Sequence, residues 1–122
     1  MINIGKKKKA DKTAAITSRM EMEIDLMQRH VEMLKAIIEN EPIGIIRLAE
    51  LLNYPQHKVR YSLRLLEQDG LIEPSPEGAM ITKRVYPFLA RLKSAMGQMD
   101  KTIHSIEKML EVAKKEAEEK KK

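Results

Sequence analysis

The sequence predicts a mainly α fold: three helices, a small two-stranded hairpin, and a long C-terminal helix with a coiled-coil pattern. Three observations carry this. Apolar residues recur at helical spacing through residues 19–40 and again from Val85 onward. The stretch Leu48 to Ile72, LAELLNYPQHKVRYSLRLLEQDGLI, reads as a short helix, a tight turn, and a second helix ended by a glycine. Two short β-prone runs follow, separated by Pro-Ser-Pro-Glu-Gly.

Within residues 1–17 the run KKKKADK has nothing to bury and its like charges repel, so a disordered basic arm is expected. Ser18 with Glu21 three residues on has the signature of a capping box, which sets a first helix at about 19–40. Along it Met20, Ile24, Met27, Val31, Leu34 and Ile38 are spaced 4, 3, 4, 3 and 4 apart. Asn40 and Pro42 stop it. It is longer than a three-helix core needs, so its first half is expected to pack on something else.

A second helix is expected at about Gly44 to Leu52, with Ile45, Leu48, Ala49 and Leu52 inward, and Asn53 and Tyr54 make the turn. Pro55 opens the third helix, 55–69, where its missing N–H costs nothing. Gly70 ends that helix as a left-handed cap. LIEP and AMIT are the hairpin strands. From Val85 the residues Leu89, Leu92, Met96, Met99, Ile103, Ile106, Leu110, Ala113 and Ala117 keep the 4, 3 spacing without a slip. The expected organisation is an arm over 1–17, a domain over 18–82, and a coiled-coil dimerisation helix over 83–122 with a frayed lysine-rich end.

Charge separates these parts. Of 122 residues, 34% are charged and only 3% aromatic, which suits an aliphatic helical core under a charged surface. The net +5 is uneven: residues 1–19 carry six bases against one acid, and 54–95 carry seven against four, whereas 20–53 carry seven acids against three bases. A polyanion bound through one face fits this division. The chain has no cysteine, which excludes thiol chemistry and cysteine-ligated zinc. His30, His57 and His104 lie on three different helices without metal-ligand spacing. No phosphate loop or nucleophile motif occurs, so neither an enzyme nor a cofactor is expected. No apolar run reaches a membrane span, and the expected location is cytoplasmic, on the nucleoid.

The third helix carries Val59, Leu63 and Leu66 on one side. Its other side shows Gln56, His57, Lys58, Arg60, Tyr61 and Arg64. The pattern LAELL-x-x-P-x-x-x-V-x-Y-x-L-x-x-LE-x-x-GLI resembles the winged helix-turn-helix DNA-binding regulators across residues 43–82. With the heptad helix added, residues 19–115 resemble small archaeal winged-helix proteins that dimerise through a coiled coil, some of them transcriptional regulators and others chromatin proteins. The resemblance implies that residues 55–69 form a recognition helix for the major groove, with Gln56, His57, Lys58, Arg60, Tyr61 and Arg64 toward DNA. Two departures stand out. The wing, Pro74 to Gly78, has no Lys or Arg and contains Glu77, which argues against its entering a minor groove. Gly44 stands where many relatives have a Ser or Thr cap.

Each candidate has a plain alternative. Arg60 and Arg64, four apart, suit bidentate bonding to guanine, or else form a solvated basic face. Gln56, His57 and Lys58 near the helix start reach a base edge or a phosphate, or remain ordinary surface. Lys83 and Arg84, with Arg91 and Lys93, follow the wing and suit phosphate contacts, or simply open a long charged helix. Lys6–Lys9 suits tracking phosphates or entering a minor groove, without reading sequence, or else is a solubilising tail.

With Leu89 as position a, the a and d layers of the last helix include Leu89, Leu92, Met96, Met99, Ile103, Ile106 and Leu110, the expected dimer interface. The g positions Phe88, Ala95, Thr102 and Met109 are uncharged, and strand direction stays open. The function expected is a sequence-specific, DNA-binding transcriptional regulator acting as a homodimer on double-stranded DNA. Two other readings stay beside it: an architectural chromosomal protein of low sequence specificity, and a winged-helix module for protein–protein interaction. No small-molecule effector pocket is marked by the sequence.

Overall fold

A computed structural model of the chain describes residues 15–121. Lys6–Lys9 and Lys122 lie outside the described residues. Among the described residues the order is α1 (Ala15–Asn40), α2 (Ile45–Leu52), α3 (Gln56–Gln68), β1 (Ile72–Ser75), β2 (Gly78–Ile81) and α4 (Val85–Lys120). The chain divides into two units, one ending at Arg84 and the other beginning at Val85. No helix among these residues is long and apolar enough to cross a membrane.

In the first unit α1 packs against α2, α3 and β2, and α3 packs against α2 and β1. The core joins Met33, Leu34, Ala36 and Ile37 of α1 with Leu48 and Ala49 of α2 and Val59 and Leu66 of α3. Ile43, Leu71 and Ile72 complete it from the connecting segments and the sheet. These side chains are aliphatic and of mixed size, the composition that fills a small core at solid-like density.

Local chemistry sets each boundary. Asn40 Nδ2 donates to the Ala36 carbonyl at 2.8 Å and closes the last turn of α1. Gly44 is the N-cap of α2 and supplies no side-chain cap. Asn53 ends α2 in the left-handed region (φ 58°, ψ 45°), which Asn tolerates better than most residues. At the end of α3, Gly70 has φ +75°. The Leu71 N–H bonds back to the Leu66 carbonyl (3.0 Å) and the Gly70 N–H to the Glu67 carbonyl (2.9 Å). This is the paired closure of a Schellman cap.

The strands β1 and β2 pair antiparallel, Ile72 opposite Ile81 and Ser75 opposite Gly78, with Pro76 and Glu77 at the tip. Ile43 adds a third short edge: its N–H and carbonyl both bond to Ala79, at 3.2 and 2.8 Å. The Glu41 carboxylate accepts the Ile81 N–H at 2.9 Å, which ties the end of α1 to the same strand.

Three expectations are corrected. Residues 15–17 belong to α1 and not to an arm, and Ser18 lies inside the helix and not at its cap. The third helix is one residue shorter at each end than 55–69, with Pro55 and Asp69 as caps. The apolar stripe read along α1 is not its buried face. Only Leu34 of that stripe is buried, whereas Met20 is 59% and Ile24 49% exposed. The core takes the neighbouring face, centred on Met33 and Ile37.

The second unit is the single helix α4, 36 residues long. Its length at ~1.5 Å per residue is roughly 54 Å. Val85 is its one buried residue, and every described side chain from Met96 onward is exposed.

Candidate nucleic-acid interface

Helix α3 owes its place to two faces of different chemistry. Val59, Ser62 and Leu66 are buried. At about 100° per residue, His57, Arg60, Tyr61 and Arg64 then fall on the opposite side, with Gln56 at its edge about 40° from Arg60. All five are exposed. Lys58 is exposed too, but the same rotation sets it on the far edge of the helix, about 160° from Arg60. Five of the six expected α3 residues therefore share a face, and Lys58 stands apart.

Helix α2 adds a residue that sequence reasoning missed. Arg47, Glu50 and the helix start at Gly44–Ile46 line an open cleft of about 580 Å³ together with Gln56 and Arg60 of α3. Arg47 thus stands on the same rim as Arg60. The available signal was its position: with Leu48, Ala49 and Leu52 inward, Arg47 falls on the outward side of α2.

Among the described residues, Arg47, Arg60 and Arg64 make no side-chain hydrogen bond or ion pair within the protein. Arg29 is the contrast. It is buried on α1, and its Nε donates to Ser62 Oγ at 3.0 Å. The same Oγ lies 2.9 Å from His30 Nδ1. Burial first, and then the neighbouring Arg29 charge, hold the His30 imidazole below its ordinary pKa. The His30 ring is also 6.2 Å from the Tyr61 ring, tilted by 33°. This Arg29–Ser62–His30 cluster fixes the rotation of α3 on α1, and with it the direction in which Arg60 and Arg64 point. It too was missed, because three polar residues on two apolar faces carry no periodic signal.

Behind the turn of α2, the Tyr54 hydroxyl donates to the Glu32 carboxylate. Burial, that bond and the Glu32 charge push the Tyr54 pKa up to about 12. The bond anchors the α2–α3 turn to α1.

Lys83 and Arg84 lie between β2 and α4, both exposed. They are not equivalent. A Cβ built on Gly70 would meet Arg84 Nη1 at 2.8 Å, so the Arg84 side chain lies across the end of α3. A cation there also favours the carbonyl end of the helix dipole. Lys83 has no such seat. At the sheet tip, Pro76 and Glu77 are exposed, and Ser75 Oγ donates to the Gly78 carbonyl at 2.7 Å.

Along α4 the expected interface residues Leu89, Met96, Met99, Ile103, Ile106 and Leu110 are exposed, and Leu92 is half-buried. No protein-family model matches this chain, and no curated protein matches it.

Proposed function

We propose that this protein is a winged helix-turn-helix transcriptional regulator that binds double-stranded DNA as a homodimer. The observation that carries the reading is the exposed α2–α3 face on which Arg47, Arg60 and Arg64 stand with no side-chain partner among the described residues. Unpaired guanidinium groups on a projecting helix suit guanine edges and phosphates, both of which reward a planar bidentate donor. In this reading α3 enters a major groove. Gln56, Arg60 and Arg64 read bases, His57 and Tyr61 flank them, and Arg47, Lys58 and Lys83 hold phosphates. The β1–β2 tip carries Glu77 and no base, so the helices supply the grip. The heptad seam of α4 joins two copies and sets the spacing of two half-sites.

Selection of bound fragments from sheared genomic DNA at about 0.15 M salt supplies the operator, because non-specific binding is weakened there. A few enriched loci sharing an inverted repeat are expected. On that duplex, replacing Arg60 and Arg64 together by Ala should lower affinity by roughly 1–3 kcal/mol per lost base contact. Affinity for unrelated duplex should change far less. Equal loss on both would leave phosphate grip alone, the behaviour of an architectural chromosomal protein. The sheet tip, acidic and without a base, and Lys6–Lys9 favour that second reading.

A further inference from the structure

We infer that the cleft between α2 and α3 is itself a base-reading site, in which Ile46 takes the C5-methyl group of a thymine. This rests on the proposed entry of α3 into a major groove, and it extends base contact to the neighbouring helix.

The fold makes no use of Ile46. The inward side of α2 is filled by Leu48 and Ala49, both buried, with Ile45 and Leu52 half-buried beside them. Ile46 is 64% exposed, although it is a large aliphatic residue. A lone isoleucine on a convex surface is ordinary. This one lies in a concavity. It lines the open cleft of about 580 Å³ together with Arg47 and Glu50 of its own helix and Gln56 and Arg60 of α3. At about 100° per residue, Ile46 and Glu50 fall about 40° apart and one turn apart along α2. An apolar and an acidic side chain therefore border the same space.

The chemistry of the cleft decides what fills it. A cleft built for the sugar-phosphate backbone calls for donors and positive charge. Here an aliphatic side chain and a carboxylate stand among the donors. Glu50 makes no ion pair with Arg47 or Arg60, so neither guanidinium neutralises it. Its charge repels a phosphate seated in the cleft. Base edges in a major groove present what this set asks for. Guanine offers two acceptors to Arg60, adenine a donor and an acceptor to Gln56, and cytosine an amino donor to Glu50. Thymine adds a methyl group, the apolar feature of that edge. Ile46 is the one exposed apolar side chain that lines the cleft. Arg47 lies about 100° round the helix from Ile46 and remains the phosphate contact at the rim.

Uracil in place of thymine removes this methyl and leaves base pairing intact. In the operator recovered from genomic DNA, each thymine of a half-site is replaced in turn, together with its symmetry mate. The affinity of the full chain is then measured at fixed salt. One position should weaken binding by about fourfold per half-site, roughly fifteenfold for the pair, the effect of burying one methyl group in each. Ile46→Ala and Ile46→Ser should each bind the thymine and uracil duplexes alike. Position 46 is exposed, so neither variant should move the thermal midpoint by more than a few degrees. Arg47→Ala should lose affinity on both duplexes and keep the discrimination; its loss there too overturns the assignment to Ile46. The inference also fails if no thymine discriminates in the parent, or if discrimination survives in Ile46→Ala, which would give the methyl to another side chain. A selection that enriches no operator is a different failure. In that case α3 does not read sequence, and the regulator and this role of Ile46 fall together.

Discussion

Ser62 shows how much one small side chain can decide. It is fully buried, accepts the Arg29 Nε–H, and still has a hydroxyl proton to give to His30 Nδ1. That assignment makes Nδ1 an acceptor, which is the neutral form of the imidazole that its lowered pKa favours. Ser62→Ala should cost about 1–3 kcal/mol, since the buried Arg29 donor loses its partner; urea unfolding measures this. The pH dependence follows from the same cluster. The folded His30 pKa lies below the ordinary 6.5, so the unfolded chain takes up a proton first as pH falls. Its contribution to stability is therefore complete above 6.5 and is lost as pH drops from there toward the folded value. His104 works in the opposite sense. The Asp100 carbonyl and then its carboxylate raise its pKa, so its contribution is present below 6.5 and is lost as pH rises through its folded value. In a His104→Gln background the thermal midpoint should fall between about pH 7.5 and pH 5, and adding His30→Gln should flatten that fall. An equal slope in both variants would remove His30 from the account.

Among the elements, the sheet depends on one glycine. Gly78 has φ +131°, a region that L side chains rarely adopt, and a Cβ there would stand 2.6 Å from the Ile43 carbonyl oxygen and 2.7 Å from the Gly44 nitrogen. Gly78→Ala should lower stability by about 1–3 kcal/mol through backbone strain, with further loss from parting Ile43 and Ala79. Amide exchange of Ile43 and Ala79 should rise together, while that of Val59 and Leu66 should change only with global stability. How well each element could be read in advance follows the strength of its local chemistry. Pro55 and Gly70 bracket α3 to within a residue because each acts on the backbone directly. The Ile43 bridge was invisible, since two hydrogen bonds leave no alternating pattern. The start of α1 was misread because Ser18 and Glu21 have capping spacing inside a continuing helix. The face of α1 was misread for a deeper reason. Apolar spacing gives the stripes a helix has, not which one the core uses, and α1 has two.

At the scale of the whole molecule, the candidate interface was legible where a single helix carried it. Gln56, His57, Arg60, Tyr61 and Arg64 share a face because they follow α3's own period. Arg47 was not legible, because it reaches that face only when α2 is laid beside α3. The last expectation joins this face to α4. Two linked reading heads on two half-sites act at an effective concentration in the millimolar range for short connections, which raises affinity by roughly 10²–10⁴ over one head alone. Ile103 and Ile106 are successive layers of the seam, both exposed on the free helix. Aspartate at both sets like charges against each other in any pairing through that seam. The double variant should run as a monomer in light scattering and should bind a duplex with one half-site as tightly as one head of the parent does. It should lose most of the parent's preference for the two-half-site duplex. A variant that stays dimeric would move the seam away from α4. A monomer that keeps the full preference would show that the spacing between half-sites is not set by this helix.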